Sequence, residues 1–226
     1  MTRRRSLVHC TALLALAAGA GAFPSPGRGA APGGARILVV GDSLSAEYGI
    51  ERGTGWVALL GQRLEKEGIG ATLVNASISG DTTAGGRSRL PALLREHRPS
   101  LVVIELGGND ALRGLPLDTT EANLTAMTRA AKEAGARVLI IGMQIPPNYG
   151  RAYSDRFAAI FSNVSRAEGA ALVPFMLKDV ADVADPQSMF QPDRIHPLAA
   201  AHPTILRNVW AVLEPLLRPQ TRSARR

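Results

Sequence analysis

Ser43 is the residue around which the chemistry of this sequence can be organised. It lies in the segment 36–49, RILVVGDSLSAEYG, where a short aliphatic run ends at Gly41. Such a run is typical of a buried strand, and a serine on a tight turn from strand into helix has free backbone N–H groups beside it. These groups would stabilise the negative charge that develops when a serine attacks a carbonyl. Alternatively, Asp42 and Ser43 are only turn and N-cap residues, positions that both types favour.

A base for such a serine is available near the C-terminus, in the segment PDRIHP. Asp193 and His196 are three residues apart there, and one turn would bring the carboxylate to the imidazole. A carboxylate partner fixes the imidazole tautomer and stabilises the imidazolium that forms when the base takes the serine proton. The alternative is a surface turn with an unrelated histidine. His202 is the rival base, although it has no carboxylate at the matching spacing and Pro203 indicates a helix start. His97 is expected at a helix end, in solvent.

The elements that would position these residues alternate between strands and helices. Aliphatic runs predict five strands, at 37–40, 71–76, 101–106, 137–141 and 171–173. Amphipathic segments predict five helices, at 56–67, 89–97, 118–135, 153–167 and 199–217. Pro91 would lie in the first turn of the second helix, where proline is tolerated, and Asp118 and Glu121 would form a capping box at the start of the third.

This alternation predicts an α/β fold, a three-layer αβα sandwich around a five-stranded parallel sheet. Such sheets carry their sites at the carboxyl ends of the strands, where the strand order reverses. In the flavodoxin-like order 2-1-3-4-5, the second, first and third strands are neighbours. Their carboxyl ends carry Gly80, Ser43 and Asn109, so three potential oxyanion contacts would lie side by side.

The two ends of the chain differ in charge from its body. The chain has 226 residues, enough for one domain with a full core, and a net charge of +7. Segments 1–30 and 218–226 each contain four arginines and no acid, so the rest carries 18 of the 26 basic residues against 19 acidic ones. The nearly neutral body shows no basic face with interleaved aromatics, which argues against nucleic-acid binding.

Residues 1–22 have the pattern of an export signal. A cluster of arginines precedes the apolar run Leu7–Ala18, and the small residues Ala20–Ala22 form a cleavage site before Phe23. The apolar run is too short for a comfortable membrane span, so no stable membrane anchor is expected. Cys10 is the single cysteine, and its loss with the signal would leave a mature chain without disulfides.

The remaining chain divides into three predicted segments. Residues 23–35, rich in Pro, Gly and Ala, read as a flexible leader, residues 36–217 as the folded domain and residues 218–226 as a basic disordered tail. We expect a monomer that is exported to the periplasm or secreted.

Four segments resemble, in order and separation, the four blocks of the SGNH (GDSL) hydrolase family: GDSLSAEYG, NASISGDTT, ELGGND and DRIHP. The likeness covers nearly all of 36–217 and is strongest to members that act as periplasmic thioesterases, arylesterases and lysophospholipases. It implies that Ser43 is the nucleophile, His196 the base and Asp193 its orienting carboxylate. It also implies an oxyanion hole made by the Ser43 and Gly80 N–H groups and the Asn109 side-chain amide.

We therefore expect an exported serine esterase and thioesterase that forms an acyl-enzyme on Ser43. Its substrates would be small acyl esters and thioesters, including aryl esters, acyl-CoA-like thioesters and lysophospholipids. A carbohydrate O-acetylesterase is the alternative enzyme, although only ten aromatic residues are available to stack on sugars. A flavodoxin-like anion-binding module is the non-enzyme alternative.

Other chemistries find little support in the sequence. It has no Gly-x-Ser-x-Gly elbow, no P-loop and no metal-ligand spacing, so neither a cofactor nor a metal is expected. Glu105 lies inside an apolar strand, and we interpret it as a hydrogen-bonded structural acid rather than a second catalytic carboxylate.

The segment 111–117, ALRGLPL, is the candidate for substrate selection. It follows Asn109 and contains Gly114 and Pro116, which disfavour a helix. Its leucines would either form a mobile lip over an acyl chain or pack as a small core beneath the loop, and we favour the lip. The expected substrate-binding residues, the last two from the family likeness, are Leu112, Leu115, Leu117, Pro146 and Tyr149.

Overall fold

Five aliphatic segments form a parallel sheet in the order 2-1-3-4-5, numbered along the chain, as the sequence predicted. The computed structural model describes residues 34–145 and 147–217. The strands are β1 (Ala35–Gly41), β2 (Ala71–Asn75), β3 (Leu101–Glu105), β4 (Arg137–Ile141) and β5 (Ala171–Val173). Every residue of β3 is buried, since helices cover both faces of the sheet, and this explains why central strands are aliphatic throughout.

Helices form the two outer layers. They are α1 (Trp56–Lys66), α2 (Thr83–His97), α3 (Gly108–Leu112), α4 (Leu117–Glu133), α5 (Arg151–Glu168) and α6 (His202–Leu217). Helix α1 packs against α6, while α4 packs against both α2 and α5. The main core lies between these layers and the sheet.

Helices α2 and α4 begin at residues that change the predicted roles of Pro91 and Asp118. Helix α2 begins at Thr83, so Pro91 lies in its interior rather than in its first turn. The buried carboxylate of Asp110 accepts the Thr83 N–H at 2.9 Å, a contact from another part of the chain that local sequence does not reveal. Helix α4 begins at Leu117, which places Asp118 inside the first turn, so the predicted capping box is wrong.

The segment 43–49 forms successive turns instead of the expected start of a helix. The Ala46 N–H donates to the Asp42 carbonyl at 3.0 Å, but Glu47 has a left-handed φ of 60°, which interrupts helical geometry. Ser43 therefore lies on a turn, and the expectation of a helix N-terminus beside it is wrong.

Several predicted segments lie outside the described residues. These are the signal 1–22, the tail 218–226 and Pro146, together with nearly all of the predicted leader. Strand β1 begins at Ala35, two residues before the start of the predicted strand. Across 34–145 and 147–217, no helix combines the length and apolar character that a membrane span requires.

Candidate active site

Ser43, His196 and Asp193 form a continuous hydrogen-bonded chain. His196 Nε2 lies 2.8 Å from Ser43 Oγ, and His196 Nδ1 lies 2.6 Å from Asp193 Oδ2. The other carboxylate oxygen, Asp193 Oδ1, accepts the N–H groups of Ile195 and His196 at 2.9 and 3.0 Å. Partial burial raises the pKa of Asp193, but these bonds outweigh it and lower the pKa from 3.8 to about 2. A charged Asp193 favours the tautomer with a proton on Nδ1, which leaves Nε2 free to accept the serine proton.

The loop that carries His196 is tied to the turn that carries Ser43 by Gln191. The side-chain amide of Gln191 donates to the Tyr48 carbonyl at 2.9 Å and to the Pro197 carbonyl at 3.2 Å, while its backbone N–H donates to the His196 carbonyl at 2.8 Å. The Tyr48 ring lies against the imidazole of His196, with 4.4 Å between the ring centroids. These contacts connect distant parts of the chain, and sequence reasoning missed both Gln191 and Tyr48.

Asn109 brings the ends of three neighbouring strands together. Its Nδ2 donates to Asp42 Oδ2 at 3.0 Å, directly before Ser43, and to the Asp81 carbonyl at 2.9 Å, directly after Gly80. Gly80 has a φ of 79°, a left-handed conformation that favours glycine. Among the described residues, no acceptor takes the backbone N–H of Ser43 or of Gly80. Two free N–H donors and one side-chain amide therefore belong to adjoining turns.

Polar residues behind these turns hold them in place. Arg89 donates to the side chain of Asp81 at 2.8 Å and to the Gly41 carbonyl at 3.3 Å, so it links the turn after β2 to the end of β1. Asp110 is 2% exposed and accepts both the N–H and the hydroxyl of Thr83, which joins the turn after β3 to the start of α2. No pattern in the local sequence indicated the partners of Arg89 or of Asp110.

The two other described histidines have different surroundings. His202 is buried, and its Nδ1 accepts the Trp56 N–H at 3.0 Å, so the acceptor nitrogen is already occupied. Burial lowers its pKa from 6.5 to about 4, which keeps the ring neutral. His97 ends α2 and lies 3.8 Å from the exposed Glu96 carboxylate. Within the described ranges, no three His, Cys, Asp or Glu side chains are arranged to hold a metal.

The candidate substrate-binding residues occupy three kinds of position. Leu115 is 36% exposed and Tyr149 is 42% exposed, whereas Leu112 is half-buried in α3, a short helix that the sequence did not predict. Leu117 is the first residue of α4, is 5% exposed and belongs to the main core. The expectation that Leu117 contributes to a lip is therefore wrong. Pro146 lies outside the described residues.

Comparison with known proteins shows the family of the chain. A family model, the GDSL-like Lipase/Acylhydrolase family, matches residues 39–203. The chain belongs to this family. It is 54% identical to Esterase TesA of Pseudomonas aeruginosa over 181 residues, which cover 80% of this chain and 89% of that protein. It is 41% identical to Thioesterase 1/protease 1/lysophospholipase L1 of Escherichia coli K12 over 181 residues, or 80% of this chain and 84% of the relative.

A solved structure has the same fold. The psychrotrophic esterase EstA from Pseudoalteromonas sp., in a structure inhibited by monoethylphosphonate, matches with a TM-score of 0.76 and 39% identity, covering 81% of this chain and 98% of that one. The family resemblance inferred from the four sequence segments is thus confirmed. This GDSL-family chain is a carboxylic ester hydrolase.

Proposed function

We propose that this GDSL-family esterase hydrolyses acyl esters and thioesters through an acyl-enzyme on Ser43. The observation that carries the proposal is the chain of two short contacts, 2.8 Å from Ser43 Oγ to His196 Nε2 and 2.6 Å from His196 Nδ1 to Asp193. A serine hydroxyl is a weak nucleophile unless an adjacent base takes its proton, and that base needs a third group to orient it. All three components are present.

In the first half-reaction, Ser43 Oγ attacks the acyl carbonyl as its proton passes to His196 Nε2. The imidazolium that forms is stabilised by the charged Asp193, whose lowered pKa keeps it ionised at neutral pH. The same Nε2 then gives its proton to the departing alcohol or thiol. The acyl group remains on Ser43 as an ester.

The negative charge of the tetrahedral intermediate is received by the oxyanion hole that we assign to Ser43, Gly80 and Asn109. The two backbone N–H groups have no protein acceptor in the described chain, so they are available to the substrate oxygen. The Asn109 amide belongs to the adjoining turn and is held there by Asp42. The two backbone donors are already fixed by the fold, and such donors lower the barrier without reorganising during the reaction.

In the second half-reaction, His196 activates a water molecule by taking its proton. The water attacks the acyl carbonyl from the position that the leaving group has vacated, and the same donors hold the second oxyanion. Collapse of this intermediate releases the carboxylic acid and returns the proton to Ser43. The cycle needs no cofactor.

Apolar side chains around the cleft support a preference for acyl chains. Leu115 and Tyr149 are exposed and Leu112 is half-buried, so we assign these three to the acyl chain. The relatives named arylesterase, thioesterase and lysophospholipase support aryl esters, acyl thioesters and lysophospholipids as substrates. A small molecule that combines an acyl chain with a good leaving group fits these features.

Export is part of the proposal and rests on the composition of residues 1–22. Their basic start, apolar run and small-residue cleavage pattern support secretion of a monomeric domain with a leader at 23–35 and a tail at 218–226. N-terminal sequencing of the protein exported by a bacterial host should give Phe23 as the first residue. Recovery of the chain only inside the cell, with its original N-terminus, would contradict export.

Hydrolysis assays test the enzymatic part of the proposal. Wild-type protein should hydrolyse p-nitrophenyl acyl esters and acyl thioesters, and Ser43→Ala should lose nearly all turnover of both. The matched control is Ser162→Ala, which removes a hydroxyl from α5 that only donates to the Ala159 carbonyl. Substantial turnover by folded Ser43→Ala would show that another group is the nucleophile.

A further inference from the structure

Glu105 is a buried carboxyl group that the proposed reaction does not use. It ends β3 and is 3% exposed. Its Oε2 accepts the Ser45 hydroxyl at 2.7 Å and the Asp42 N–H at 3.3 Å, and the Trp56 indole N–H in turn donates to Ser45 at 3.2 Å. Gly41 leaves the space for this group, since a Cβ there would lie 2.8 Å from Glu105 Oε2. The chain thus builds a specific site for one carboxyl group directly behind Ser43.

Asp42, which is 2% exposed, is a second buried carboxyl group, and its backbone N–H donates to Glu105. Two adjacent carboxylates buried away from water would repel each other, so one of the two carboxyl groups keeps a proton. Burial and the neighbouring charge of Asp42 raise the pKa of Glu105 well above 4.5, whereas the pKa of Asp42, raised by burial to about 6, is held down by hydrogen bonds from Leu44 and Asn109. At neutral pH Glu105 therefore keeps the proton and Asp42 is charged.

The charged Asp42 controls Asn109. The amide nitrogen of Asn109 has two hydrogens, and both are engaged, one by Asp42 Oδ2 at 3.0 Å and the other by the Asp81 carbonyl at 2.9 Å. A hydrogen bond to a carboxylate is roughly twice as strong as one to a neutral carbonyl. The bond to Asp42 is therefore the fixed one. The hydrogen bond to the Asp81 carbonyl is the one that Asn109 can exchange for a hydrogen bond to a substrate oxyanion.

We propose that Glu105 is a positioning residue for the oxyanion hole: in its protonated form it holds Asp42 as the charged acceptor that fixes the Asn109 amide beside Ser43. Glu105 touches neither the substrate nor the reacting atoms. It acts through Asp42, whose N–H it accepts, and loss of its proton places two negative charges side by side behind the oxyanion hole. Activity then falls at alkaline pH because the Asn109 donor is no longer held in place.

Other ionisable groups near the pair already have partners. The charged or titratable groups on the surrounding elements are His196, Arg89, Asp81 and Asp110. Arg89 forms its ion pair with Asp81, Asp110 accepts from Thr83, and His196 acts on Asp42 only through its charge. Within the described residues, no lysine or arginine forms an ion pair with Asp42 or Glu105. The proton on Glu105 is therefore what limits the charge repulsion between Asp42 and Glu105.

Two substitutions separate this role from simple packing. Glutamine offers a carbonyl acceptor and an N–H donor in the arrangement of a protonated acid, whereas leucine offers neither. We expect Glu105→Leu to lower kcat by up to about 10²-fold, the lower end of the loss for one oxyanion donor, with KM little changed. Glu105→Gln should restore most of kcat at neutral pH. Thr128→Val is the control for lost stability alone, since Thr128 is buried in α4 and only donates to the Leu124 carbonyl.

The pH profile provides the decisive readout. The ratio of kcat for Glu105→Gln to kcat for wild type should rise from neutral to alkaline pH, over the range in which circular dichroism shows both proteins to be folded. A merely structural Glu105 would give a constant ratio, which would overturn the inference. Equal losses of kcat in the glutamine and leucine variants at neutral pH would overturn it as well. If Glu105→Leu does not fold, the glutamine profile decides alone.

The inference rests on the proposed function, and covalent labelling distinguishes the two failures. A fluorophosphonate that leaves Ser43 of the folded wild-type protein unmodified would refute the acyl-enzyme. Labelled Ser43 together with a constant kcat ratio would overturn only the role of Glu105.

Discussion

His202 offers a sharp test of how this protein uses its histidines. Its ring is 2% exposed, and its neutral Nδ1 accepts the first N–H of α1, from Trp56, at 3.0 Å. Protonation would convert that acceptor into a donor and place a charge in the core. Asparagine at this position presents an oxygen acceptor at a similar place but cannot be protonated. His202→Asn should therefore make the fold less sensitive to acid and leave hydrolysis intact.

The magnitude follows from the pKa of His202, which burial lowers from 6.5 to about 4, against an opposing effect of the Glu47 charge. The folded protein binds this proton less readily than the unfolded chain, so the free energy of unfolding falls as the pH falls from 6.5 to 4. At ~1.36 kcal/mol per pH unit, the histidine accounts for a loss of about 3 kcal/mol. The stabilisation is fully present above pH 6.5 and absent once the pH is below 4.

Urea unfolding followed by the fluorescence of Trp56 and Trp210 measures this effect. Subtracting the pH dependence of His202→Asn from that of wild type cancels the contribution of every other titrating group. The difference should change by about 3 kcal/mol between neutral pH and pH 4. A difference that stays constant would refute the buried neutral ring. Activity at neutral pH should survive in His202→Asn and be lost in His196→Ala; the opposite pattern would make His202 the base.

Three further substitutions test other parts of the site. Asn109→Ala should lower kcat by roughly 10²–10³, the usual range for one oxyanion donor, and a change confined to KM would make Asn109 a binding residue. Leu115→Ser should reduce kcat/KM for long acyl chains more than for acetyl esters, by up to ~0.8 kcal/mol for each methylene that Leu115 helps to bury. An equal loss at every chain length, together with a lower Tm, would assign Leu115 to the core. Gly41→Ala should destabilise the fold by about 1–3 kcal/mol in thermal unfolding, because the added Cβ would crowd Glu105. The neutral control is Gly70→Ala, since a Cβ there would meet nothing within 4 Å. Equal Tm values for the two variants would contradict the crowding.

The sheet could be predicted because each strand is marked by its own residues and by the turn residues beside it. Aliphatic runs bounded by turn residues define strands, and β4 and β5 have the predicted bounds. The start of α2 could not be found in this way. Its first turns contain Gly85 and Gly86, which are poor helix formers, and a Cβ on Gly86 would lie 2.2 Å from a side-chain carbon of Leu106. Tertiary packing requires glycine there, and it overrides the local preference.

The candidate site likewise combines features that the local sequence predicts with contacts that only tertiary structure determines. Strand order places the turns of Ser43 and Asn109 side by side, and a spacing of three residues brings Asp193 to His196. The supporting contacts were not predictable, because Ser45 meets Glu105 across 60 residues and Gln191 meets Tyr48 across 143. Nothing in a local pattern specifies such pairs. Only the folded chain shows that Glu105, interpreted from sequence as a structural acid, adjoins the oxyanion hole through Asp42.

The acyl-enzyme on Ser43 is the central claim, and covalent labelling tests it most directly. Folded wild-type protein is incubated with a fluorophosphonate, whose phosphorus resembles the tetrahedral centre of the reaction, and the modified residue is located by peptide mass spectrometry. The expected result is one adduct per chain, on Ser43, which does not form in His196→Ala over the same time. Folded protein that hydrolyses esters without modification of Ser43, or with the adduct on another residue, would contradict the account.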